Sequence, residues 1–115
     1  MRRFGIYVGV LVCFAAAALA QQEDDWRMLS GPQITDVLIG VTLEYDNEWQ
    51  DFRASGETLY NAGTNSWGNW RVENDQYCSQ WPPRDLWDCY DVAVFEDQVR
   101  FTGAYDDVSF GTIRK

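Results

Sequence analysis

The sequence predicts a mainly β fold: a small antiparallel meander curled into a barrel or sandwich of about eight short strands, preceded by one short helix. Three observations predict it. From Val41 onward apolar and polar residues alternate, the period-two pattern of strands that bury one face. Breakers rich in Asn, Asp, Gly and Ser interrupt this alternation at roughly ten-residue spacing, the rhythm of hairpin-connected strands. One segment, LSGPQITDVLIG, instead repeats its apolar residues at intervals of three and four.

At the amino terminus, MRRFGIYVGVLVCFAAAALAQQ sets Arg2 and Arg3 before an apolar run and ends it with small residues at Ala18 and Ala20. This is the pattern of a secretory signal over residues 1–20, cleaved before Gln21. The run is shorter than the ~20 residues a spanning helix needs, so no stable membrane insertion is expected after cleavage. A periplasmic or secreted location follows. Cys13 lies within the run, without the small residue before it that a lipoprotein signal needs. Residues 21–30 read as a flexible leader and residues 31–115 as one small β domain.

The helix begins at Ser30, a good N-cap, followed by Gly31 and Pro32, which suit a first turn. Ile34, Val37 and Leu38 form its apolar stripe, and Gly40 ends it. VTLEY follows, with Val41, Leu43 and Tyr45 on one face and Thr42 and Glu44 on the other; DN is a turn and EWQDFR the next strand. ETLYN, SWGNWRV, QYCSQW, DCYDVAVF, QVRFTG and VSFGTIR complete the series. Six tryptophans in so small a domain are expected chiefly in packing, since each buries more area than an aliphatic side chain.

Both cysteines outside the signal lie in YCSQWPPRDLWDCY. If Cys78 and Cys89 face each other across neighbouring strands, the same register sets Tyr77 opposite Tyr90 on the other face. An oxidising compartment and an even cysteine count favour a disulfide. Closing a loop of about twelve residues would stabilise the fold by roughly 3 kcal/mol on the chain-entropy estimate. A zinc site would need four nitrogen or sulfur ligands, and the chain has no histidine. A thioredoxin-like centre would need its cysteines two residues apart. Within the enclosed loop, Trp81, Pro82, Pro83, Arg84 and Trp87 either present aromatic faces to a ligand or cap one end of the barrel; the cap is the preferred reading.

The net charge is −9, and the signal would remove only basic residues, leaving the mature chain more acidic still. Such a surface repels phosphate backbones, so no nucleic acid is expected, whereas a basic protein partner would be attracted. Without histidine there is no Ser-His or Cys-His pair, and the serines lack an elbow motif. The paired carboxylates do not match a calcium loop. Neither a P-loop nor a dinucleotide fingerprint is present. The chain is therefore expected not to be an enzyme, and to need no metal or cofactor.

GNWRVENDQYCSQWPPRDLWDCYDV, with its tryptophan strand, tyrosine-cysteine pair and second cysteine, resembles a set of small exported proteobacterial proteins of unknown function. LSGPQITDVLIGVTLEY is similar to their helix-then-strand opening, and Phe52, Gly56 and Tyr60 to a FxxxGxxxY hairpin. Some of these relatives are named dihydrodipicolinate reductase, but no nucleotide-binding fingerprint here supports that activity. The resemblance implies the fold and the compartment. Two functions are compatible with these features. One is an exported binding or interaction protein, such as an inhibitor or partner of a basic envelope or secreted protein. The other is a lipocalin-like carrier of a small ligand, for which a barrel of this size is expected to be largely filled by its own side chains.

Overall fold

The computed structural model describes residues 25–115; the expected signal segment and residues 21–24 of the leader lie outside the described residues. The strands are β1 (Arg27–Met28), β2 (Thr42–Tyr45), β3 (Glu48–Phe52), β4 (Glu57–Asn61), β5 (Asn65–Glu73), β6 (Gln76–Gln80), β7 (Trp87–Phe95), β8 (Gln98–Thr102) and β9 (Val108–Ile113). One helix, α1 (Gly31–Leu38), stands between β1 and β2. From β2 to β9 each strand pairs antiparallel with its successor. The pairs Leu43↔Ile113 and Glu44↔Thr112 then join β9 back to β2 and close the sheet into a barrel. Closure leaves no free edge among these strands to template aggregation.

Hairpin geometry is local in origin. Asn74 and Asp75 occupy the β5–β6 turn with φ of 54° and 58°, the left-handed conformation a two-residue type I′ turn needs at both positions and one that Asn and Asp tolerate best. Because consecutive hairpins reverse direction, the β3–β4, β5–β6 and β7–β8 turns gather at one end. The β2–β3, β4–β5, β6–β7 and β8–β9 connections gather at the other.

The helix closes the first of these ends. At its start the Ser30 N–H donates to Gln33 Oε1 at 2.9 Å, and the Gly31 N–H donates to Asp75 Oδ1 at 2.7 Å. Two of the amides left over at any helix start are thereby satisfied, one of them by the β5–β6 turn itself. Ile34 and Leu38, one turn apart, are completely buried and join Leu43, Phe52, Trp70, Val92 and Val99 in one core. Each such burial contributes about 1.5–3 kcal/mol. Gly40, with φ of 74°, releases the chain into β2.

The segment expected as a flexible leader differs from its sequence reading. Arg27 and Met28 pair with Val94 and Ala93 of β7, the Leu29 N–H donates to Val92 O at 2.9 Å, and Leu29 is buried. A two-residue strand is too short to display an alternating pattern, and the docking is anchored by Leu29 inside and by Trp26, whose ring lies 5.8 Å from that of Phe95 and 5.7 Å from that of Phe110.

The tryptophans divide by face. Trp70 is buried and donates its Nε1–H to Arg53 O at 2.9 Å. Trp26, Trp49, Trp67 and Trp87 lie outside the barrel against arginines. Arg100, Arg114, Arg53 and Arg71 stand 4.8, 5.6, 4.7 and 4.0 Å from their respective ring centroids, the arrangement in which a cation is attracted to the negative face of the ring. Among the described residues most of the arginine charge is thus committed to the outer wall.

Candidate functional site

Strand alternation decides what reaches the barrel axis. At the helix end the inward residues are large and apolar. Toward the other end they include Ser66 and Gly68 of β5, Ser79 of β6, and Ser109 and Gly111 of β9, which supply little volume. The result is a cavity of about 680 Å³, open at that end, with walls that include Tyr45, Gln50, Tyr60, Tyr77, Tyr90 and Phe101. Its size lies within the range of small-ligand sites. The barrel is therefore not filled along its length by its own side chains: only the helix end meets that expectation.

Two aromatic rings use the glycines as seats. A β-carbon on Gly68 would stand 2.6 Å from Cε3 of Trp81, and one on Gly111 would stand 2.9 Å from Cε1 of Tyr45. Both strands give up a side chain so that a ring can lie against the backbone. The rings accordingly line the cavity wall instead of occupying its centre.

Beneath them lie three groups of paired polar side chains. The Tyr45 hydroxyl donates to Gln50 Oε1 at 3.0 Å, and Gln50 Nε2 donates to Thr58 Oγ1 at 2.9 Å and to the Tyr77 hydroxyl at 3.1 Å. Trp81 Nε1–H donates to Ser79 Oγ at 3.2 Å, and the Tyr60 hydroxyl donates to Glu48 Oε1. Gln50, Thr58 and Ser79 are buried, and among the described residues no buried side-chain polar atom lacks a partner. Burial holds the tyrosines in their neutral form. It is the largest cause that pushes Tyr60 and Tyr77 up to about 12. Tyr45 is displaced further in the same direction, by burial and then by Tyr77, Tyr60 and Glu48. Tyr90 is raised by burial and by Asp88 and Asp107, with Arg84 opposing.

The cysteines are where their spacing places them. Cys78 pairs in register with Cys89 and the two are disulfide-bonded on the outer face. Tyr77 stands opposite Tyr90 on the inner face with ring centroids 6.0 Å apart. The bridge fastens β6 to β7 directly behind two cavity tyrosines.

The loop residues separate. Trp81 and Pro82 line the cavity. Pro83 and Arg84 are exposed, Arg84 standing 3.9 Å from Asp88, and Trp87 turns outward under Arg71. Trp67, although at the rim, also points outward by alternation and meets Arg53. The cavity residues that the sequence reading did not assign to a site are Tyr45, Glu48, Gln50, Tyr60, Phe101 and Asp107. Their signal was available in the parity of each strand combined with hairpin direction: inward serines and glycines cluster at the end where inward tyrosines also gather.

Among the described residues no helix is long and apolar enough to cross a membrane, and no group of three or more metal-ligating side chains is assembled. Comparison of the chain with family models, curated proteins and solved structures finds no match.

Proposed function

We propose that this chain is an exported, non-enzymatic carrier that binds a small ligand in the open half of its barrel. One observation carries the reading: inward Ser and Gly residues leave a cavity of about 680 Å³ walled by tyrosines and floored by a fully paired polar set. Tyr45, Gln50, Thr58 and Tyr77 are already bonded to one another, so this floor needs no rearrangement before a guest enters, which reduces the ordering cost of binding. A second reading, docking of a basic protein, draws support from the rim. Leu86 and Tyr105 are exposed at 67% and 93% on two of the four connections at the open end, and the acidic surface would steer a cationic partner.

The test is titration with N-phenyl-1-naphthylamine, a neutral dye whose fluorescence rises in apolar surroundings. The carrier reading expects saturable enhancement with one dye per chain. It also expects loss of that enhancement in Ser109→Trp, which fills the cavity from an inward position. Enhancement unchanged in that variant, or none in the parent protein, would overturn the reading.

A further inference from the structure

The charges around this cavity are one-sided. Its lining contains the carboxylates of Glu48 and Asp107 and no lysine or arginine. Glu48 receives the Tyr60 hydroxyl on Oε1, with no bond to Oε2 among the described residues. Asp107 lies against Gly103 and accepts the Tyr105 N–H on Oδ1 at 3.4 Å, with no bond to Oδ2 among the described residues. Glu48 stands on β3 and Asp107 immediately before β9, and β2, which carries Tyr45, runs between those strands in the sheet. The ring of Tyr60 lies 6.5 Å from that of Tyr45 and 5.9 Å from that of Trp81. The cation of the β6–β7 loop, Arg84, is exposed beside Asp88, and four other arginines are stacked on the outer wall.

We propose that the cavity recognises an organic cation: a ligand whose ammonium group meets the rings of Tyr45, Tyr60 and Trp81 and the carboxylates of Glu48 and Asp107. The inference rests on the carrier reading and adds the chemical class of the guest. Electron-rich ring faces attract a cation through their quadrupole, and the attraction grows as the guest displaces water from between them. Carboxylates nearby add a Coulombic contribution that an anionic guest would experience as repulsion. The neutral tyrosines do not oppose either effect, because they carry no charge at ordinary pH. The same ammonium chemistry is offered by a free small amine and by the lysine side chain of a basic protein.

The experiment is calorimetric titration of the purified protein with three probes of similar shape: phenethylamine, 2-phenylethanol and 3-phenylpropionate. The amine is expected to bind about tenfold more tightly than the alcohol, a difference of about 1.4 kcal/mol, and the acid more weakly than both. The paired variant Glu48→Gln/Asp107→Asn should bring the amine down toward the alcohol. Acid binding equal to amine binding overturns the inference, as does a preference that survives in the variant. The neutral dye separates the two readings: dye binding without an amine preference removes only the cation, whereas failure of both removes the carrier as well. A terminally blocked lysine tripeptide that displaces phenethylamine at equal concentration assigns the ammonium to a protein partner. Failure to displace assigns it to a free amine.

Discussion

Trp81 rests against Gly68 of the neighbouring strand so closely that a methyl group there would stand 2.6 Å from Cε3 and 2.8 Å from both Cζ3 and the Gln80 carbonyl oxygen. A ring held by its Nε1 bond to Ser79 and a backbone oxygen held in the β5–β6 ladder cannot both yield cheaply. Gly68→Ala is therefore expected to destabilise the protein by about 1–3 kcal/mol, the usual cost of overpacking. It should also displace the indole into the cavity. Urea unfolding measures the first effect. Comparison with Trp81→Ala, alone and in combination, measures the second: the double variant should cost less than the two single costs added. Strict additivity would mean that the ring and the glycine are not coupled.

The bond between Cys78 and Cys89 holds β6 to β7 at the back of the cavity. Replacing both with serine should lower stability by roughly 3 kcal/mol, since the closed loop of about twelve residues restrains the unfolded chain. The same loss should follow reduction of the parent protein. Thiol labelling of unreduced, unfolded mature protein should find no free sulfhydryl, and quantitative labelling would remove the bridge from the account.

Legibility in the sequence was uneven for physical reasons. Ser30 and Gly40 bracketed the helix because caps and stops are local chemistry. Tyr77, Cys78, Cys89 and Tyr90 foretold register because a cross-strand pair constrains both faces at once. β1 escaped notice because two residues have no period. The cavity escaped for another reason: its volume is the difference between a barrel's radius and the summed bulk of inward side chains from eight strands. Ser66, Gly68, Ser79, Ser109 and Gly111 each look unremarkable in a strand. They become informative only when hairpin direction sets them at one end together, beside Tyr45, Tyr60 and Trp81.

Alkaline pH should unfold the barrel through its buried tyrosines. Burial pushes Tyr60 and Tyr77 up to about 12 and raises Tyr45 and Tyr90 as well, whereas an unfolded chain ionises its tyrosines near 10. Below about 10 both states keep these protons, and the contribution is fully present. Between about 10 and 12 the unfolded state releases protons that the folded state retains, so stability falls as pH rises through that window. Absorbance of tyrosinate and a fold-sensitive signal should therefore change together there. Smooth ionisation of the buried tyrosines near 10 with the fold intact would show that they are not shielded.

Gln50 joins the two halves of the barrel interior. It is exposed at only 6%; its Oε1 accepts from Tyr45, and its Nε2 donates to Thr58 and Tyr77. Gln50→Leu preserves most of the volume and removes all three bonds, but the consequences differ by position. Tyr45 lines the open cavity, where water can replace the lost acceptor. Thr58 still donates to Asp51 O. Tyr77 is buried, exposed at only 5%, with its ring 5.2 Å from that of Phe101 and 5.7 Å from that of Phe52, so the donor it loses is the expensive one. The expected cost is about 1–3 kcal/mol, that of one buried polar group left short of a partner. The paired variant Gln50→Leu/Tyr77→Phe removes that orphan and should recover part of the loss. A double variant less stable than Gln50→Leu by the full cost of Tyr77→Phe alone would place the hydroxyl's stabilisation in a partner other than Gln50.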